Sequence, residues 1–215
     1  MNYVIVSGAN GFIGSAVIKY LIKQNIHVVA LYKDAYDNIP VSASVTPIKF
    51  SLNNVAALET AVPKAEYDIF YHFAWAGTSG EARTDTQLQL QNAQWTVDSV
   101  NLAYKLGCKR FVGAGSIMEH ETVAAAYAQG NQPGLGYIYG GGKLIAHIMS
   151  KSIAVKLGIE FVWTEITNAY GIGEISPRLV NSTIRKCING EAPQFTAGTQ
   201  QYDFVYIDDV APAFF

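Results

Sequence analysis

Seven residues near the start of the chain, Gly8-Ala9-Asn10-Gly11-Phe12-Ile13-Gly14, constrain its fold more than any other stretch. They follow a short run of β-branched and aromatic residues at 3–6, which reads as a buried strand. They lead into Phe12, Ile13, Ala16, Val17, Tyr20, Leu21 and Ile22, apolar residues that recur at helical spacing. Glycines between a strand and a helix let the chain reverse tightly. They also let backbone N–H groups at the helix start approach a pyrophosphate, which the helix dipole favours. An ordinary glycine-rich connection has the same local pattern, so the rest of the chain has to decide.

Strand and helix patterns then alternate. Strands are expected at 27–31, 69–73, 110–114 and 160–166, with long helices over 84–106 and 136–157. This rhythm predicts an α/β fold, a doubly wound parallel sheet of Rossmann type with helices on both faces. Residues 1–167 form the expected dinucleotide-binding domain, with a returning segment near 202–210. Turns at 171–173 and at Pro193 mark 168–201 as the start of a small substrate-binding domain. The chain stops at Phe215, soon after a helix start, so we expect that small C-terminal domain to be truncated.

Composition narrows the partners. A net charge of -2 gives no electrostatic reason to bind nucleic acid or an anionic membrane. Cys108 and Cys187 lie far apart and outside any CxxC pattern, and the four histidines are scattered. Neither a disulfide framework nor a metal site is expected. The first ten residues lack the basic start and apolar run of a secretion signal, and no stretch approaches the ~20 apolar residues of a membrane span. A cytoplasmic protein is the expectation.

The reactive groups lie further along. Tyr139 and Lys143 are spaced i, i+4 on an expected helix, so phenol and ammonium share one face. A neighbouring ammonium stabilises phenolate and is expected to lower the tyrosine pKa, which makes a usable general acid or base. With thirteen tyrosines present, such a pair by itself proves little. Its position downstream of the glycine turn gives it weight, as does Ser116, just past the expected strand at 110–114. A hydroxyl there can stabilise charge developing on a substrate oxygen. Three consecutive glycines separate Tyr139 from Lys143, each costing a helix interior about 1 kcal/mol relative to alanine. Close approach of a cofactor or of a partner helix would explain them equally well.

The segment VSGANGFIG resembles the opening of the extended short-chain dehydrogenases, the nucleotide-sugar epimerase/dehydratase family. Tyr67-Asp68-Ile69-Phe70-Tyr71-His72-Phe73-Ala74 is similar to that family's D-x-x-x-H-x-A strand, which implies that Phe73 and Ala74 lie beside the cofactor. His72 reads equally well as a core histidine. Asn92 matches an asparagine that supports the family's active-site geometry; on an unpartnered helix it would simply face solvent.

The resemblance implies cofactor contacts from Gly8, Asn10, Gly11, Phe12, Ile13 and Gly14, and from Asn92. The family's acidic residue at the end of the second strand falls on Tyr32, with Lys33 next, which inclines the choice between NAD and NADP towards NADP. It further implies catalysis by Tyr139, Lys143 and Ser116, with Lys143 also holding the cofactor ribose.

Ile117 and Met118 occupy the positions where 4,6-dehydratases of the family carry an Asp-Glu pair, so that dehydration is disfavoured. Two reactions remain, 4-epimerisation or reduction of a 4-keto sugar. Glu119 and His120 resemble a Glu-Tyr pair of deoxysugar-reductase-like members; they line the substrate pocket or form a solvated loop. Thr164 to Gly171, containing Asn168, is similar to an R-x-x-N-x-Y-G segment with Glu165 replacing the arginine. At 202–210 Tyr202 replaces another arginine. Arg178 and Arg185 are the candidates to compensate towards a nucleotide-linked sugar; each reads equally as an ordinary surface charge.

A homodimer through the two long helices is a further implication of the resemblance. The competing reading is a non-catalytic dinucleotide-binding sensor or scaffold, favoured by the missing arginines and opposed by the Ser116, Tyr139 and Lys143 set.

Overall fold

In β1 (Tyr3–Ser7) Val4 and Val6 point to one face of the sheet and Ile5 to the other, all fully buried. A strand apolar on both faces must be central, and so it is. A computed structural model describes residues 2–34, 37–130 and 132–215. Its main sheet has six parallel strands in the order β3-β2-β1-β4-β5-β6. The remaining strands of that sheet are β2 (His27–Tyr32), β3 (Val45–Lys49), β4 (Ile69–His72), β5 (Arg110–Ser116) and β6 (Glu160–Ile166). The strand order reverses between β1 and β4, and that reversal opens a crevice at the strand C-termini.

One face is covered by α1 (Phe12–Lys23), whose Val17, Ile18 and Leu21 pack on Val4, Val6 and Tyr71. The other is covered by α2 (Leu58–Ala61), α3 (Thr86–Lys105) and α5 (Tyr137–Leu157), over a layer containing Ile5, Phe70 and Phe111. Truncating a buried phenylalanine of that layer to alanine would cost roughly 3–5 kcal/mol. Asp85 caps α3 by accepting the Leu88 N–H at 3.1 Å, and Gly158, at φ 71°, ends α5 in a left-handed turn.

Strand β3 is an element the sequence pattern does not reveal. Pro47 sits in it and lacks an N–H, which is tolerated because β3 is the sheet's edge. Beyond β6 come β7 (Asn168–Tyr170), α6 (Leu179–Ile188), β8 (Phe204–Tyr206) and α7 (Ile207–Ala213). Strands β7 and β8 pair in parallel as a separate small sheet. The chain then returns to the first layer. Ile207, Val210, Ala211 and Phe214 join the core under α1, and the Phe214 carbonyl accepts the Tyr71 hydroxyl at 3.1 Å.

Among the described residues no helix is long and apolar enough to cross a membrane, and no group of His, Cys, Asp or Glu is placed to hold a metal.

Candidate active site

The crevice at the strand reversal encloses a cavity of about 620 Å³, within the range of cofactor and ligand sites. At one end it is lined by Gly8, Asn10, Gly11, Phe12, Ile13 and Gly14, with Tyr32, Lys33, Phe73 and Ala74 beside them. Gly8 has φ +69°, and a Cβ there would lie 2.7 Å from the Ala74 nitrogen, so the turn and the end of β4 are pressed together backbone to backbone. A Cβ on Gly14 would collide with the Gly8 carbonyl, which seats α1 directly on the turn. Helix α1 begins at Gly11 without a side-chain cap and without an acidic residue in its first turn. Its first N–H groups and the positive end of its dipole therefore face the cavity. An uncapped helix start beside a glycine turn fits a dinucleotide's phosphates; a capping carboxylate there would have opposed them.

The other end of the same cavity is lined by Ser116, Tyr139 and Lys143. Ser116 ends β5, while Tyr139 and Lys143 lie one turn apart on α5, so strand end and helix face bring the three onto one wall. The Ser116 hydroxyl and the Tyr139 phenol are hydrogen-bonded. Lys143 donates its ammonium to the Ala114 carbonyl at 2.7 Å and sits 3.7 Å from the centre of the Trp75 ring.

The electrostatics differ from the simple lysine–tyrosine expectation. Burial pushes the Tyr139 phenol above its ordinary value, opposed by Arg83, Arg178 and the Ser116 hydrogen bond, with the Glu119 carboxylate adding to the rise. Burial likewise brings the Lys143 ammonium down to about 7, Glu119 working against that shift and Arg83 adding to it. The cation closest to the phenol ring is Arg83, its guanidinium carbon 3.8 Å from the ring centre, against 5.9 Å for the Lys143 nitrogen. Nothing in the spacing of the sequence singles out Arg83.

The glycines between Tyr139 and Lys143 answer to neighbouring helices. A Cβ on Gly140 would meet the Thr122 hydroxyl and, at 2.6 Å, the Met118 carbonyl of α4 (Met118–Tyr127). One on Gly142 would lie 3.0 Å from the Gln89 carbonyl of α3, while Gly141 faces open space. The first and third thus let α5 pack closely against two helices.

The remaining expected site residues occupy varied places. Asn92 is buried and does not line the cavity. Its side chain clamps Ala76, accepting the N–H at 2.9 Å and donating to the carbonyl at 2.8 Å. Ala76 itself lines the cavity, so Asn92 shapes the wall from behind. His72 is buried, bonded to Ser7 at 3.0 Å and Thr96 at 3.4 Å, and burial lowers its pKa to about 3. It is a neutral core histidine.

Glu119 is neither in a solvated loop nor among the cavity-lining residues. Only 4% exposed, it accepts the Ser116 N–H at 2.9 Å and the Trp163 indole N–H at 3.0 Å, and lies 3.1 Å from His147 Nδ1. His120 is exposed and pairs with Glu165. Asn168 opens β7 outside the cavity, whereas Arg178 lines it, 3.8 Å from Glu174. Trp75 and Gln89 emerge only in three dimensions. Gln89 accepts the Trp75 indole N–H at 2.8 Å and donates to the Gly77 and Ala82 carbonyls, tying the loop after β4 to α3.

Residues 4–215 match the model of the NAD dependent epimerase/dehydratase family. The chain is 25% identical over 227 aligned positions to the CDP-abequose synthase of Salmonella typhimurium, covering 99% of this chain and 68% of that protein. Among solved structures, its fold is similar to UDP-N-acetylglucosamine 4-epimerase from Methanobrevibacter ruminantium in complex with UDP-N-acetylmuramic acid. The TM-score is 0.81 at 22% identity, over 99% of this chain and 71% of the other. It is also similar to the Bordetella bronchiseptica enzyme WbmH in complex with NAD+, at TM-score 0.79 and 19% identity, over 100% and 71% of the two chains.

Proposed function

The chain belongs to the NAD dependent epimerase/dehydratase family, and from that premise we propose that it is an NAD(P)-dependent oxidoreductase or epimerase acting at a carbonyl or hydroxyl of a nucleotide-linked sugar. The observation that carries this reading is the single crevice lined at one end by the Gly8–Gly14 turn and at the other by Ser116, Tyr139 and Lys143.

In this reading the turn and the start of α1 hold the dinucleotide phosphates. Ser116 orients the substrate oxygen, Tyr139 moves the proton to or from it, and Lys143 holds the nicotinamide ribose. The nicotinamide, when bound, supplies the hydride chemistry. Ile117 and Met118 cannot exchange protons, which favours 4-epimerisation or 4-keto reduction over loss of water. The similarity to a 4-epimerase and to a CDP-sugar synthase is compatible with both.

For the adenine ribose, Tyr32 and Lys33 line the crevice and present no carboxylate to reject a 2′-phosphate, so NADP is a candidate beside NAD, which the solved relative WbmH holds. Residues 168–201, with Arg178 at the crevice, begin the substrate-binding part. A homodimer through α3 and α5 is supported by the exposed Leu90, Ile148 and Met149 on those helices.

The test is to titrate the protein with NAD(H) and NADP(H), then to offer CDP- and UDP-linked sugars and 4-keto sugars. Nicotinamide absorbance and product epimers are followed. Turnover supports the reading. Binding of a dinucleotide without turnover of any such sugar would favour the sensor alternative.

A further inference from the structure

We propose that Arg83 is a positioning residue of the reaction, whose guanidinium, laid on the Tyr139 ring, is the fixed positive charge that keeps the phenolate state within reach. This rests on Tyr139 being the proton-transfer group.

Arg83 comes from the short 3-10 turn Glu81–Thr84, remote in sequence from both β5 and α5. Its guanidinium carbon lies 3.8 Å from the centre of the Tyr139 ring. The side chain is anchored, with one guanidinium N–H donating to the Thr78 carbonyl at 3.0 Å. The segment beneath it is anchored too, by Gln89 at Gly77 and Ala82 and by Asn92 at Ala76. A cation tied to a backbone carbonyl and held over one aromatic face is a built contact.

The charged and polar groups around the phenol come from five elements. Ser116 at the end of β5 hydrogen-bonds it, and the Glu119 carboxylate of α4 opposes its ionisation. Lys143, on the same helix, turns its ammonium to Ala114 and Trp75. Arg178, at the start of α6, also acts on it and lies 3.8 Å from Glu174. Arg83 acts on the phenol more strongly than Arg178 does. Among the described residues no ion pair joins Arg83 to a carboxylate; Tyr139 itself acts on it more strongly than Glu121 does.

Burial discharges Lys143 near pH 7, whereas a guanidinium stays charged throughout the working range. Above neutrality, then, the charge facing the phenolate is an arginine's. Loss of that charge should move Tyr139 ionisation to higher pH and leave the fold in place, since Arg83 lies on a surface turn.

The test needs neither substrate nor cofactor, so it stands apart from the proposed reaction. Tyrosine is isotopically labelled at Cζ, the Tyr139 signal is assigned by its loss in Tyr139→Phe, and its titration is followed by NMR. In Arg83→Gln the transition should move to higher pH; in Arg83→Lys it should stay close to the wild type. An unmoved transition in Arg83→Gln overturns the proposal, as does an equal shift in both variants, because charge is then not the agent. A wild-type Tyr139 that stays protonated until the protein unfolds overturns it as well. An active enzyme with no Arg83 effect would sink this inference alone, and a clear Arg83 effect without sugar turnover would sink only the reaction.

Discussion

The Lys143 ammonium lies 3.7 Å from the centre of the Trp75 indole, almost wholly removed from water. Among the described residues its hydrogen-bond acceptor is the Ala114 carbonyl at 2.7 Å. A buried ammonium with one neutral acceptor is a costly arrangement, and the site tolerates it where a phenol and a hydroxyl share the same cavity wall.

The sign of that cost is testable. Burial lowers the Lys143 pKa from 10.5 to about 7. Below pH 7 the folded protein carries the buried charge at full cost, and between about 7 and 10.5 the cost is progressively relieved, because only the unfolded chain stays protonated. Lys143→Met should therefore raise the Tm of the cofactor-free protein at pH 7 by several degrees while abolishing turnover. Thermal melts of the two proteins at pH 7 and pH 9 check it, and the gain should be smaller at pH 9.

The glycine run on α5 makes a second, sharper contrast. Gly141→Ala should stabilise by about 0.5–1 kcal/mol, since a helix-interior glycine is replaced where nothing is met. Gly140→Ala should destabilise, because its methyl would lie 2.6 Å from the Met118 carbonyl of α4. Urea unfolding of Gly140→Ala and Gly141→Ala should show opposite signs at adjacent positions of one helix.

Glu119 supports Ser116 from behind the cavity wall. Glu119→Ala strands the Ser116 N–H and the Trp163 indole N–H, at roughly 1–3 kcal/mol each. Glu119→Gln keeps an acceptor but removes the charge that steadies the Lys143 ammonium. The glutamine variant should lose less stability than the alanine variant yet show reduced kcat, with cofactor affinity nearly unchanged. Denaturation curves and cofactor titration separate the two effects.

His72 predicts an acid sensitivity. Its pKa falls from 6.5 to about 3 through burial, with Lys143 adding to the shift. Between those values the unfolded chain binds the extra proton, so stability drops as pH falls below 6.5, by up to about 1.4 kcal/mol per pH unit. Going from pH 6.5 to pH 5 should cost roughly 2 kcal/mol. His72→Asn, though less stable at neutral pH, should lose less over that interval; chemical denaturation at both pH values measures it.

Much of this was legible in the residues. The alternation of apolar strands and helical periods carried the parallel sheet, and the glycines between β1 and α1 carried the crevice, because both depend on local pattern. Strand β3 escaped because it is an edge strand that contains Pro47 and little apolar periodicity. Arg83, Trp75 and Gln89 escaped for another reason. Their roles come from a loop folding over α5, and no spacing along the chain encodes a contact between residues 83 and 139. Glu119 was visible as a charge beside Ser116, but only packing against Trp163 and His147 shows it buried.

In the proposed reaction Tyr139 moves the proton in a crevice that binds a nicotinamide dinucleotide. Turnover of a nucleotide-linked sugar by wild type and Tyr139→Phe, measured beside the cofactor dissociation constant of each, tests it most directly. The expected result is a loss of roughly a hundredfold or more in kcat with cofactor affinity nearly intact. Full activity in Tyr139→Phe would contradict it.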